Sequence, residues 1–487
     1  MLYPASVSPG TPRLVSSASG YLVAGAVLLV LSQCGGIGAR PAASPSGGNG
    51  AGGSNVGGAS IDGGTAGTTG NNDVRLLCAP LSFNPTAHGF GLNAIAAQGE
   101  PSALRAHVRA AGTAIWGDSA SATVRGTDVA QWAFDGLAPG TRYEYEILAP
   151  ADGGEATLYS GSVVTQRPPG DSFTFALITD SHIGADLTYT NQGDPDTLAT
   201  VSAAVNTASP DFIVHLGDML DFHEFGFNDP PPSSSTTRAA YLNYRTLLGD
   251  SIGHAAHFPT IGNWDGENGS FTADEIMRSM QERWLYVPAP GPTTYPESGS
   301  PNQDYYAFTW GDAVFIVLNV MTYTTTAHLL NTTSPGLPDD WTLGTAQLDW
   351  LAQTLANAST KWRFLLIHHT VGGKAGNDIN SAYGRGGGQA AYVGEQAKVH
   401  QLMLRYGAQI FFYGHDHVFT DMQVDGIHYT LPGSAGAPAP WMFSPSETGY
   451  AQSWPDSGWG RVTVSPDQVH VQFLKMGGGI LYEYTLP

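Results

Sequence analysis

The chain has 487 residues, 42% of them apolar and 10% aromatic; at roughly 100–200 residues per domain this allows two to four domains with sizeable cores and excludes wholesale disorder. Forty-one acidic against 20 basic residues leave a formal net charge of −21, repulsive toward phosphate backbones and anionic lipid, so no nucleic-acid partner is expected. Two cysteines, Cys34 and Cys78, exclude a disulfide scaffold and any zinc ribbon built on thiolate pairs.

Residues 1–34 read as a signal peptide. Gly20 to Leu31 is an unbroken apolar run, too short for a bilayer-spanning helix of ~20 residues and suited to a secretory signal core. It ends in Leu31-Ser32-Gln33-Cys34-Gly35, which resembles a bacterial lipoprotein lipobox, with Gln33 where Gly or Ala is usual. By that resemblance Cys34 is lipidated; the alternative is ordinary cleavage nearby. Both predict an exported protein, periplasmic, cell-surface or secreted, that meets a membrane only through a lipid on Cys34. Residues 35–73, rich in Gly, Ser, Ala, Asn and Thr without apolar periodicity, form a flexible linker with an r.m.s. span of roughly 35 Å. With Cys34 lipidated, Cys78 is left as a free thiol. With Cys34 retained and unmodified, a Cys34–Cys78 disulfide is sterically open.

Residues 74–168 alternate short strands with turns, predicted over Ala103 to Ala110, Thr113 to Trp116, Ala120 to Val124, Ala130 to Phe134, Arg142 to Leu148 and Thr157 to Val164. The pattern is that of a small all-β sandwich. Gly136-Leu137-Ala138-Pro139-Gly140-Thr141-Arg142-Tyr143-Glu144-Tyr145 resembles the fibronectin-type N-terminal sandwich of purple acid phosphatases.

From residue 169 the pattern becomes α/β. Strands are predicted over Phe173 to Thr179, Asp211 to Leu216, His257 to Ile261, Trp362 to Ile367 and Gln409 to Tyr413, with a hairpin over Tyr305 to Asn319. Helices are predicted over Asp196 to Ser209, Thr236 to Leu248, Ala273 to Leu285, Gly344 to Ala358 and Gly388 to Tyr406. Alternation over Gly458 to Val464, Gln468 to Lys475 and Ile480 to Leu486 predicts closing strands.

Five polar blocks each follow an apolar strand, where ligands converge in open α/β sheets. They are Asp180-Ser181-His182, Gly217-Asp218-Met219-Leu220-Asp221, Gly262-Asn263-Trp264-Asp265, His368-His369 and Gly414-His415-Asp416-His417. Any one of them alone is a common turn or cap. Together, in this order, they resemble the calcineurin-like metallophosphoesterase superfamily, whose pattern is DxH, GDxxD, GNH(D/E), H and GHxH. The resemblance implies a four-layer α/β/β/α domain over 169–487 and a centre of two metal ions, iron, zinc or manganese, since carboxylate, amide and imidazole donors suit all three. It assigns Asp180, His182, Asp218 and His417 to one ion, and Asp218, Asn263, His368 and His415 to the other, with Asp218 bridging. A hydroxide between the ions would attack phosphorus. Asp221, Asp265 and Asp416 would stand behind the ligands.

Two departures bear on chemistry. His182 and Asp221 stand where purple acid phosphatases have glycine and a tyrosine ligand, so no tyrosine-to-iron colour is expected. Trp264 stands where the superfamily has a histidine that assists the leaving group, and indole is no acid. Three readings stay open: Trp264 stacks on the substrate while His369 or His223 supplies the proton; the leaving group needs no acid; or catalysis is weakened. The expected function is hydrolysis of small phosphate esters, as an acid-phosphatase-like phosphomonoesterase. A phosphodiesterase of the same superfamily is the first alternative, and a non-catalytic, metal-stabilised cell-surface binding module is the second.

Overall fold

The computed structural model describes residues 74–187, 193–221, 233–262, 264–265, 273–320, 343–368, 395–438 and 452–487, all within one compact unit. The expected signal and linker segments, Cys34, His223, Asn263 and His369 lie outside the described residues.

The first region is a sandwich of two antiparallel sheets. One contains β1 (Arg75–Leu76), β2 (Leu81–Thr86), β3 (Gly89–Gln98), β6 (Thr123–Arg125) and β7 (Val129–Asp135); the other contains β4 (Arg105–Ala110), β5 (Ala120–Ser121), β8 (Arg142–Ala151) and β9 (Gly154–Val164). Alternate residues of facing strands fill the space between, among them Phe90, Leu92, Ala106, Trp132, Tyr145 and Ile147. At the Pro139-Gly140 turn, the Tyr143 hydroxyl accepts the Ala138 N–H at 2.9 Å. Thr113 to Trp116 is not a strand: the chain turns there, with Thr113 N–H on Ala110 O at 3.1 Å. β2 and β3 escape a pattern reading because Gly, Ala and Asn occupy them, residues of low strand propensity.

The second region stacks two six-stranded sheets. The first runs in the order β12 (Ala256–Pro259), β11 (Phe212–His215), β10 (Phe173–Ile178), β19 (Gly458–Val464), β20 (Val469–Lys475), β21 (Ile480–Leu486). The second runs β13 (Tyr306–Trp310), β14 (Ala313–Val317), β15 (Trp362–Leu366), β16 (Ile410–Phe412), β18 (Ile427–Pro432), β17 (Phe419–Val424). The central strands are parallel, β10 to β12 in one sheet and β14 to β16 with β18 in the other. They read as continuous apolar runs because both faces are covered. Phe173, Phe175 and Leu177 point into the layer between the sheets, where Phe175 stacks on Phe212 at 5.2 Å and meets Phe315 edge-on at 5.1 Å. Ala176 and Ile178 point the other way, toward helices.

Helices α1 (Pro195–Ala208) and α2 (Ser234–Leu248) cover the first sheet, with α3 (Ser251–His254) following; α4 (Ala273–Tyr286) continues the chain, and α5 (Gly344–Asn357) and α6 (Glu395–Tyr406) cover the second sheet. The result is the expected α/β/β/α stack. The Asp194 carboxylate accepts the Asp196 N–H at 3.1 Å and Pro195 opens α1, while the Ser233 hydroxyl caps α2 on Thr236 N–H at 3.2 Å.

The two regions share a junction. Arg245 of α2, fully buried, donates to the side chain and carbonyl of Asn93 and to the carbonyls of Ala79 and Tyr286. Asn93 in turn donates to Leu285 O at 2.7 Å. Cys78 is buried, 7% exposed, and in no disulfide among the described residues; that burial pushes its thiol up. No helix among the described residues is long and apolar enough to cross a membrane.

Candidate metal centre

The polar blocks leave the carboxyl ends of β10, β11 and β12 in one sheet and of β15 and β16 in the other, so the stacking of the sheets brings them together. The first two loops are laced by backbone bonds: Asp180 N–H donates to Gly217 O, His182 N–H to Asp218 O and Ile183 N–H to Met219 O, at 3.0–3.1 Å. One donor atom from each of Asp180, His182, Asp218 and His417 falls within 4.8 Å of the others, and the same holds for Asp218, His368 and His415. Asp218 belongs to both groups. Every one of these residues is buried except His415, which is partly so.

The backbone is bent to this purpose. Of the ten described non-glycine residues with positive φ, five are Asp180, His182, Asp218, His415 and His417, at +49° to +83°. Left-handed conformations are costly for residues with a Cβ, and such strain concentrates at functional sites. The motif glycines are steric necessities: a Cβ on Gly262 would stand 2.1 Å from Asp218 Oδ1.

Each of three imidazoles is oriented by its Nδ1. That of His182 bonds Asp221 Oδ2 at 2.9 Å, that of His368 bonds Leu216 O at 2.9 Å and that of His417 bonds Pro438 O at 3.2 Å. The Nε2 atoms then face the carboxylates: His182 lies 3.3 Å and His368 3.0 Å from Asp218 Oδ2, and His417 lies 3.3 Å from Asp180 Oδ1. An imidazole held through one nitrogen with the other aimed at carboxylates is how proteins prepare metal ligands. His182 Nε2 and Asp218 Oδ2 are buried and neither is in a hydrogen bond, although buried polar atoms are almost always paired. A cation between them satisfies both, and a set of buried carboxylates and imidazoles suits a borderline divalent or trivalent ion. The residues present therefore fit a metal centre.

A family model described as calcineurin-like phosphoesterase matches residues 173–419, just over half of the chain. The chain belongs to that family. It is a phosphoric ester hydrolase. Among solved structures, "Structure of PhoD" is similar with a TM-score of 0.64 at 15% identity, over 86% of this chain and 90% of that one; at that identity the likeness shows the fold alone. "GAP50 the anchor in the inner membrane complex of Plasmodium" aligns with a TM-score of 0.41 at 14% identity, over 65% of this chain and 88% of that one, too low to argue from. No curated protein matches the sequence.

Electrostatically, this calcineurin-like phosphoesterase has a charge-rich and largely buried centre. Burial alone would push the Asp180 and Asp218 carboxyls up. His417 and His182 hold Asp180, and His368 and His182 hold Asp218, well below the ordinary carboxylate range. Burial pulls His368 down, but Asp218 and Asp180 outweigh it and raise the imidazole to about 9. Asp265 is fully buried, and its carboxylate accepts the N–H groups of Asp218 and Leu220 at 3.0 Å and of Gly262 at 2.7 Å. It thereby ties the Asp218 loop to the Trp264 loop. Burial and the nearby Asp218 push it up to about 7, against the lowering effect of the backbone bonds. Trp264, partly buried, donates its backbone N–H to Asp218 Oδ1 at 2.8 Å. Asp416 is half-buried between His415 and His417.

Pattern reading missed two supports. His215, fully buried at the end of β11, accepts the Gly217 N–H on Nδ1 at 3.2 Å and so donates from Nε2 to the Ser181 hydroxyl at 2.8 Å. It joins the Asp180 and Asp218 loops from behind. A histidine in an otherwise apolar strand was the available signal. The segment after β18 is the second: Ala435 and Ala437 N–H donate to Thr179 O and Asp180 O at 2.8 and 2.9 Å, and the Ser434 hydroxyl to Asp180 O at 3.2 Å. Its Gly-Ala-Ser composition carries no signal. His254 and His257 stay out of the centre: His257 is buried in β12 against the Tyr244 hydroxyl at 3.1 Å, and His254 faces Ser162 of the sandwich at 3.3 Å.

Proposed function

We propose that the chain hydrolyses phosphate monoesters at two metal ions, one held by Asp180, His182, Asp218 and His417 and the other by Asp218, Asn263, His368 and His415. The observation that carries this reading is the sharing of Asp218 between two donor groups. When bound, the ions would supply Lewis-acid activation of water and neutralise the phosphoryl oxygens. The chain's own residues do the rest. Asp221, Leu216 O and Pro438 O keep the Nδ1 protons of three ligand histidines in place, so their Nε2 lone pairs face inward. The Trp264 N–H and Asp265 hold the Asp218 carboxylate and its loop against the charge that gathers during reaction.

The proton for the leaving group is assigned to His369 or His223. The Trp264 indole offers an apolar face to the substrate's organic part and a hydrogen bond from Nε1, but no transferable proton. That apolar face also supports a second reading, a phosphodiester whose second substituent stacks on the indole. Hydrolysis of nitrophenyl phosphate and bis-nitrophenyl phosphate, with metal analysis and chelator controls, separates the readings. Near two metals per chain and faster chelator-sensitive monoester turnover is the expected outcome; faster diester turnover moves the assignment to the second reading, and one metal per chain overturns the two-ion centre.

The same proposal places the enzyme outside the cytoplasm, tethered through lipidated Cys34, on the strength of the apolar run Gly20 to Leu31 and the linker after it. Mass analysis of the mature N-terminus decides: a diacylated Cys34 supports the tether, and an unmodified N-terminus beyond Cys34 removes it.

A further inference from the structure

Away from the metal centre, a cavity of about 460 Å³ opens where the sandwich meets the catalytic region, within the ~300–1,000 Å³ usual for small-ligand sites. β2, β6 and β7 supply one wall; the end of α4 and the chain after it supply the other. The walls are tied together close by, by Arg245 in its cage of carbonyls and by Asn93 on Leu285 O. The cavity is thus preformed rather than dependent on a moving loop.

Two aromatic rings line it. Phe83 covers Gly91, where a Cβ would stand 2.5 Å from the ring, and Trp284 is held by its Nε1–H on Asn302 O at 3.0 Å. With them are four carboxamides, those of Asn84, Gln131, Gln281 and Gln303. None of the four side chains has a hydrogen bond to a described residue, and the Asn84 Oδ1 is buried without a partner. The exposed Arg125 is the one charged group in the lining, and it has no ion pair among the described residues. The backbone at two of the amides is unusual: Asn84, at φ +49°, sits in the irregular stretch between Phe83 and Thr86 where β2 departs from register with β3, and Gln303 lies at φ +58°. Bulges of this kind re-aim side chains.

Uncommitted amides between aromatic rings define a ligand class. Each carboxamide offers both donors and an acceptor, which matches hydroxyl groups that donate and accept in turn. A flat apolar ring matches the C–H face of a pyranose. A phosphate would find one guanidinium and no other cation; an apolar peptide would leave four amides unpaired, each desolvated without a partner. We propose that this cleft binds a carbohydrate, a pyranose unit set between Phe83 and Trp284 with its hydroxyls on the four amides and Arg125. The proposal does not depend on the choice between monoester and diester, and it makes the sandwich a device that places the hydrolase on a glycan.

The test uses the full chain in saturation-transfer NMR against cellobiose, lactose, di-N-acetylchitobiose and digalacturonate, with Trp fluorescence as a second readout. Saturation transfer to at least one sugar is expected. Gln131→Ala and Gln281→Ala should each weaken its binding by about three- to tenfold, as loss of one hydrogen bond implies, and the double variant should abolish the transfer. Nitrophenyl phosphate hydrolysis should be unchanged in all three, which shows that they fold. No transfer to any of the four sugars, or binding that persists in the double variant, overturns the proposal.

Discussion

Between the two sheets of the catalytic region, strand residues alternate with period two, and Phe173, Phe175, Phe212, Phe315 and Phe364 interlock in an apolar layer. A few residues further along the same strands the rules invert. Past Ile178, His215 and Phe412 the chain turns left-handed at aspartates and histidines, buries charge and leaves polar atoms facing one another. The layer gains free energy through many similar contacts, each replaceable in part by its neighbours. The loops hold a geometry that no neighbour can restore. A site of this kind persists because the strands that carry it are over-determined, which is how local strain survives in folded proteins.

The comparison predicts that damage to the loops removes chemistry with the fold intact, whereas damage to the layer removes stability with the chemistry of the folded fraction intact. The largest effect is expected for Asp218→Ala. It takes a donor from both groups at once, so metal content should fall and kcat/KM drop by at least about 10³-fold, with the circular dichroism spectrum retained. An unfolded variant would break the comparison, since the loop would then be part of what holds the fold.

Phe175→Ala comes next. Opening a cavity at the centre of the aromatic layer should cost about 3–5 kcal/mol in denaturant unfolding, and metal per folded chain should stay at the wild-type value. Lost metal in the folded fraction would show that the layer and the loops are not separable.

Asp221→Asn tests a support rather than a ligand. Removing the carboxylate that accepts the His182 Nδ1 proton should weaken metal affinity by about 10–100-fold, read by competition with a chromophoric chelator. An unchanged affinity would mean that the backbone alone orients His182. The smallest effect is expected at Ile480, half exposed at 52% at the start of the edge strand β21: Ile480→Ser should shift stability by no more than about 0.5 kcal/mol and leave turnover alone.

Much of this was legible along the chain. The parallel strands announced themselves as apolar runs, and the five polar blocks stood directly after them, so the convergence of Asp180, Asp218, His368 and His417 at one end of the sheets was readable from order and composition. The boundaries of α1, α2 and α5 could be read to within two residues, because capping and helical periodicity are local. The short strand expected at Thr113 to Trp116 failed because Gly112 and Gly117 bracket it and a turn closes instead. The strands β2 and β3 were unreadable because their Gly, Ala, Asn and Pro residues are held by pairing with neighbours rather than by their own propensity.

What the sequence determined by itself was a matter of local chemistry: apolar alternation, caps and the donor types in each block. Tertiary structure alone decided the rest. That Asp218 is shared, that the Nδ1 atoms of His368 and His417 rest on Leu216 O and Pro438 O, that Asp265 clamps two loops and that His215 joins two others are relations between atoms far apart in the chain, His368 and Leu216 by 152 residues. Backbone carbonyls and N–H groups are the same at every position, so no residue type marks which of them will serve; only the packing of the two sheets brings a given carbonyl to a given imidazole.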